Sequence, residues 1–325
     1  MNRRFLLSTC LAMVAFAGRA AAQPAGGFPS RPVRLVVPFS PGGGSDLMAR
    51  ATAQKMAEVL GQQIVVENRG GANGTLGAVA VAQSRPDGYT MMLATAGELA
   101  LKPLLEANLP YDPERDFDPV VMLGITPVVI AVHPSVPVRT MEEFIALAKA
   151  RPGQLNMANS GSGGVMHLTA ALLCIRAGIE VQHIPYRGAA PAVADAAAGT
   201  VQAVVSGLPP VLAQVREGRL RVLAVSTPRR TAAAPEVPTL DEAGITGFNM
   251  SNAVGLVVPR GTPAEIVAKL NEAANQAVQD PEVRRIFLAN GAEPLGSTVE
   301  GHGAFIRSER ERFREWVRTT AIRME

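Results

Sequence analysis

Two stretches of this chain carry glycines from a strand into a helix. The first is Val36-Val37-Pro38-Phe39-Ser40-Pro41-Gly42-Gly43-Gly44-Ser45-Asp46, and the second is Asn156-Met157-Ala158-Asn159-Ser160-Gly161-Ser162-Gly163-Gly164. Glycines let the backbone approach a ligand with no Cβ in the way, and a helix's first turn offers unpaired N–H donors at the positive end of its dipole. Such a turn binds anions. One such turn alone is better read as a tight loop with Ser45 or Ser162 as a helix cap. Two matched turns, one in each half of the chain, favour a clamp on the two ends of one small acid.

Motifs for catalysis are missing. Neither turn fits G-x-G-x-x-G, no Gly-Lys-Ser/Thr follows either, and no Gly-x-Ser-x-Gly elbow occurs. His133, His167, His183 and His302 are scattered, without the i, i+4 pairing or cysteine partners usual in metal sites, so no metal or other cofactor is expected. His167 opens a helix beside the second turn, where it serves equally well as a ligand contact or a local cap. Asp46 would repel an anion and is expected to cap backbone N–H groups and stiffen the first loop. Thr95 and Glu98 stand at the carboxyl end of a strand beside the first turn, the edge where an α/β cleft opens. Facing that cleft, Glu98 would disfavour a second anionic group and favour an amine or amide. Alternatively it opens the next helix, complements the dipole and faces water.

The elements that must position these residues alternate strand and helix, which predicts an α/β protein with largely parallel sheets. Val33 to Phe39 reads as a strand, Asp46 to Leu60 as a helix ended by Gly61, and Ile64 to Glu67, Thr75 to Gln83 and Tyr89 to Thr95 continue the winding. After the apolar run Val120 to Val132 a second winding begins with a helix over Glu142 to Ala150 and ends with a strand over Leu220 to Ser226. Thr262 is placed to cap a helix that Pro263 starts. Phe305, Phe313, Trp316 and Val317 lay an apolar stripe on a last helix.

The amino terminus has its own grammar. Met-Asn-Arg-Arg, an apolar run from Phe5 to Ala17, and Ala20-Ala21-Ala22 predict a secretory leader at 1–22, cleaved before Gln23, with export by the general route to the periplasm. The run is too short for a bilayer span. Cleavage takes away Arg3, Arg4 and Arg19 and no acid, so the net charge of +3 falls to zero and no electrostatic footprint for nucleic acid remains. Cys10 leaves with the leader, which leaves Cys174, set in an apolar helical stretch, as a buried thiol. About 300 remaining residues favour two domains.

The stretches Phe39–Asp46, Val66-Glu67-Asn68-Arg69-Gly70-Gly71-Ala72-Asn73-Gly74, Pro86-Asp87-Gly88-Tyr89, Leu109-Pro110-Tyr111-Asp112, Pro185-Tyr186-Arg187-Gly188, Leu220 to Val225 and Pro259 to Pro263 together resemble the substrate-binding proteins of tripartite tricarboxylate transporters, the Bug family. The resemblance implies a type II periplasmic binding fold: two α/β domains, 23–125 with 252–325 and 126–251, joined by two crossover strands with the ligand in the interdomain cleft. It implies a non-enzymatic carrier of a small carboxylate, a monomer that hands its cargo to membrane subunits or a sensor. In relatives the ligand carboxylate is held by the two Gly-rich loops, here Phe39, Ser40, Gly43, Gly44, Ser45 and Asp46 on one side and Ser160, Gly161, Ser162 and Val165 on the other. Thr95, Glu98, His167 and Ser206 complete the candidate set. Val165, Glu98 and Ala253 depart from the residues usual in relatives, which bears on the ligand rather than the fold. The alternative is a periplasmic enzyme on the same scaffold, since fold does not fix function.

Overall fold

The computed structural model describes residues 27–289 and 291–320; the leader expected at 1–22 lies outside them. The first winding runs β1 (Val33–Val37), α1 (Gly44–Leu60), β2 (Ile64–Asn68), α2 (Thr75–Ala82) and β3 (Thr90–Thr95). A π-helical turn, Gly97–Leu101, leads into α3 (Lys102–Leu105), and α4 (Pro113–Asp116) precedes the 16-residue β4 (Phe117–Val132). The second winding is α5 (Met141–Ala150), β5 (Asn156–Asn159), α6 (Val165–Ala177), β6 (Gln182–Pro185), α7 (Ala189–Ala197), β7 (Ala203–Gly207), α8 (Leu208–Arg216) and β8 (Arg221–Val225). The chain returns through β9 (Ser251–Pro259) to α9 (Ala264–Gln279), α10 (Pro281–Ala289), the short β10 (Glu293–Pro294) and α11 (Val299–Thr320).

β1 pairs in parallel with β2 and β3, and β5 pairs in parallel with β6 and β7. Between these groups run β4 and β9, antiparallel to each other from Phe117↔Pro259 to Pro127↔Ser251. β9 extends the first group through β3, while the far half of β4 pairs with β7 and β8, Val129 lying opposite both Ser206 and Val225. One strand thus serves two sheets. Its residues from Val128 to Val132 are fully buried, which explains a run without polar alternation.

Helices cover the sheets with the faces their sequences dictate. α1 turns Met48, Ala49, Thr52 and Met56 to the core that Leu35, Met91 and Leu256 share, and Gly61, at φ 67°, ends it in the left-handed conformation. A side chain of the Leu35 or Met56 class, buried outright, stabilises the fold by roughly 1.5–3 kcal/mol. In α11, Phe313 is fully buried, and Trp316 and Val317 pack against the core cluster that contains Phe313, Leu101 and Phe248. Cys174 is buried in α6 as a free thiol, and burial pushes its pKa up to about 12.

Thr262 does not cap α9. Its hydroxyl donates to the Pro259 carbonyl at 2.7 Å, and Pro263 takes the N-cap position without a side-chain bond. The turn over Gly261, at φ +85°, leaves Thr262 one residue too early to reach the helix amides. No described helix is long and apolar enough to cross a membrane.

Candidate functional site

The carboxyl ends of β1, β3, β5 and β7 meet at one cavity, the position where ligand crevices form in open α/β sheets. Its volume is about 50 Å³, well below the ~300–1,000 Å³ typical of small-molecule sites, so the walls stand close together. The wall holds Phe39, Gly43, Gly44 and Ser45 from the first turn and Ser160, Gly164, Val165 and Met166 from the second. Thr95, Gly97 and Glu98 follow β3, and Thr126 of β4 and Asn252 of β9 stand where the connecting strands pass.

Both turns end in helices that start without side-chain caps. The first internal bond of α1 is Leu47 N–H to Gly43 carbonyl at 3.0 Å, and that of α6 is Leu168 N–H to Gly164 carbonyl at 2.9 Å. The amides of residues 44–46 and 165–167 therefore have no partner inside their helices, and the dipoles add positive potential. Ser45 and Ser162 cap neither helix. α8 contributes differently: Pro209 and Pro210 in its first turn lack N–H groups and form an apolar wall.

The glycines are needed where the two halves touch. A Cβ on Gly44 would sit 3.2 Å from Pro209 Cγ, and one on Gly164 would overlap the Asn73 amide. The Ser40 hydroxyl donates to the Arg187 carbonyl at 2.5 Å, tying the first loop to the loop before α7. Gly163, at φ +74°, adopts a conformation that side chains resist.

Asp46 holds its own loop. Its Oδ2 accepts from the Gly42 N–H at 2.9 Å and from Arg50 Nε at 3.0 Å, and its Oδ1 accepts from Asn68 Nδ2 at 2.9 Å. Burial works against the charge, but these bonds outweigh it and keep the pKa below the ordinary aspartate value. Asp46 is off the cavity wall, as are Ser40, Gly161, Ser162, His167 and Ser206. His167 Nδ1 faces back to the Gly163 N–H at 3.4 Å, its ring lies 5.0 Å from that of His183, and burial pulls its pKa down to about 4. Gly161 donates its N–H to Asn159 Oδ1 at 2.9 Å, Ser162 is exposed, and the Ser206 hydroxyl is buried in β7 with no described partner.

Glu98 is 1% exposed and on the cavity wall, so it does not face bulk water although it lies in the first turn after β3. Its Oε2 accepts from both the N–H and the hydroxyl of Thr95, each at 2.7 Å. Burial raises its pKa, against the Thr95 bonds and the nearby Lys102 charge, which lower it.

Several residues of the wall were not singled out from sequence, among them Asn73, Thr126, Pro209 and Asn252. Asn73 lines the cavity, and it and Ala72 have φ of 46° and 47°, a conformation uncommon for residues other than glycine. Lys102, 2% exposed, holds that turn: Nζ donates to the Ala72 carbonyl at 2.7 Å and to Thr75 Oγ1 at 2.5 Å, and pairs with Glu106 at 3.0 Å. The Gly-Gly-Ala-Asn-Gly run is the one local signal that could have marked a turn at Asn73, and nothing local shows that a lysine thirty residues on would be buried against it.

A model of the tripartite tricarboxylate transporter family receptor matches residues 48–321. Protein BugT of Bordetella pertussis is 37% identical over 326 residues, covering all of both chains. The structure of the periplasmic binding protein BugD is 32% identical with a TM-score of 0.88, over 92% of this chain and all of that one. The structure of Rpa4515 from R. palustris with adipate is 34% identical with a TM-score of 0.88, over 91% of this chain and 99% of that one. The fold is that of the periplasmic binding proteins, and the chain belongs to the tripartite tricarboxylate transporter receptor family.

Proposed function

We propose that this protein is an exported, monomeric carrier that closes on one small carboxylate-bearing molecule. The observation that carries the reading is the convergence of two uncapped helix starts, α1 and α6, on one cavity, each with three amides free of helical partners. A carboxylate placed there accepts several N–H bonds from both sides of the cleft, so binding and closure reinforce one another. The two bodies that move would be 23–125 with 252–325 and 126–251, hinged on β4 and β9. Adipate in the related R. palustris structure supports a carboxylate as cargo. Delivery would be to membrane subunits of a tripartite transporter or to a sensor.

An enzymatic reading would start at the Thr95 hydroxyl and the Glu98 carboxyl. That pair is better understood as a local cap, because the same Glu98 oxygen takes the Thr95 N–H and the hydroxyl also accepts from the Gly97 N–H at 3.1 Å. Purified protein incubated with small carboxylic acids, then denatured and analysed by mass spectrometry, separates the readings. The carrier releases its acid unchanged in one-to-one amount; a chemically altered product would establish the enzyme.

A further inference from the structure

Lys102 and Glu98 lie four residues apart on the segment after β3, both buried beside the cavity, yet the lysine does not satisfy the glutamate. An ammonium has three donors. Those of Lys102 are taken by the Ala72 carbonyl, the Thr75 hydroxyl and the Glu106 carboxylate. Glu98 Oε2 has its two Thr95 donors, and the residue's own backbone N–H also favours the charged carboxyl. The carboxyl lines the cavity with the lysine's donors directed elsewhere. A buried carboxylate is costly to keep charged, and a bound molecule that donates to it lowers that cost.

We infer that Glu98 selects the ligand class: a small acid whose far end carries a hydrogen-bond donor, an ammonium or an amide N–H, and not a second carboxylate. The inference rests on the acid-capture reading above and adds the chemistry of the other end. The free amides of α1 and α6 take the carboxylate; Glu98 takes the donor. A second carboxylate at Glu98 would place two like charges in one desolvated site, where one must take up a proton to stay. Burial raises the pKa of this carboxyl, which fits a group whose charge-stabilising partner arrives with the ligand.

The experiment is calorimetric titration of the mature chain and of Glu98→Gln with three probe sets of four, five and six carbons: a dicarboxylate, its monoamide and an ω-amino acid of matched length. In the Glu98→Gln chain the new amide oxygen can keep both Thr95 bonds and the NH₂ group takes the place of Oε1, so the fold is retained. For at least one length the wild-type chain should bind the monoamide or the amino acid at least tenfold more tightly than the dicarboxylate, and the better of the two identifies the donor. Glu98→Gln should shift that ratio at least tenfold toward the dicarboxylate. Equal wild-type affinities for dicarboxylate and donor-bearing probes overturn the assignment while leaving acid capture standing, and so does a preference unchanged in a folded Glu98→Gln. Failure of every probe to bind overturns both readings. The wild-type comparison decides the matter even if the variant does not fold.

Discussion

Ser40 and Arg187, 147 residues apart, are joined by a hydrogen bond from the Ser40 hydroxyl to the Arg187 carbonyl. The bond links the loop before α1 to the loop before α7, across the two bodies proposed to close on the ligand. It should therefore stabilise the closed form and have little bearing on either half alone. Ser40→Ala is expected to weaken ligand binding about fivefold, the worth of one hydrogen bond of ~1 kcal/mol, through faster release. Stopped-flow dissociation rates check this, with an unchanged melting temperature for the ligand-free chain.

In the proposed closure, the approach of Gly44 to Pro209 also limits what fits at this position. A valine there drives its side chain into Pro209, which a Cβ alone would approach to 3.2 Å. Gly44→Val should lower affinity at least tenfold, ~1.4 kcal/mol, while the unliganded protein still melts cooperatively. Calorimetric titration beside a thermal melt distinguishes a blocked closure from a damaged fold.

Lys102 gives a stability prediction. Replacing it with methionine fills similar volume but leaves the Ala72 carbonyl and Thr75 hydroxyl without their donor and Glu106 without its cation. Buried groups left unpaired cost ~1–3 kcal/mol each, and the half-exposed Glu106 recovers part of its share from water. Lys102→Met should destabilise the chain by roughly 2–4 kcal/mol in urea unfolding and release the left-handed Ala72–Asn73 turn.

His302 makes stability depend on pH. It is 3% exposed, and burial pulls its pKa from 6.5 down to about 4. The folded form keeps the ring neutral while the unfolded chain takes up a proton below pH 6.5. Its contribution is therefore present above pH 6.5 and lost as pH falls toward about 4, up to ~3 kcal/mol in all. His302→Gln should show a smaller loss of stability between pH 7 and pH 4.5 than wild type. Equal losses would assign the acid sensitivity to other groups.

Cys174 should be silent toward a thiol reagent in the folded protein at pH 8, because burial both shields it and holds its pKa near about 12. Labelling should appear only with unfolding, at the rate that a parallel fluorescence trace reports.

Much of this architecture is legible in local pattern. The βα alternation, the stop at Gly61 and the continuous apolar run of β4 follow from periodicity and turn chemistry, and the two Gly-rich turns reach one cavity. Relationships that depend on distant packing are less visible. Asp46 looks like a helix-start acid in sequence; its partners Gly42 and Arg50 are local, but Asn68 arrives only when β2 pairs with β1. Lysines are mostly exposed, so nothing in the sequence points to Lys102, whose burial depends on a turn thirty residues earlier. Thr262 shows the opposite limit, a residue of the right type one position away from the place its type suggests.

In the proposed reading the free amides of α1 and α6 together hold a carboxylate, and the most direct measurement compares an acid with its own methyl ester. An acid bound by the mature chain should titrate one-to-one by calorimetry, and conversion of the held carboxylate to its ester should lower affinity at least a hundredfold, ~2.7 kcal/mol, by removing the charge those amides serve. An ester bound as tightly as the acid would contradict the account, since the cavity would then recognise the molecule by its body and the paired helix starts would have no part in holding it.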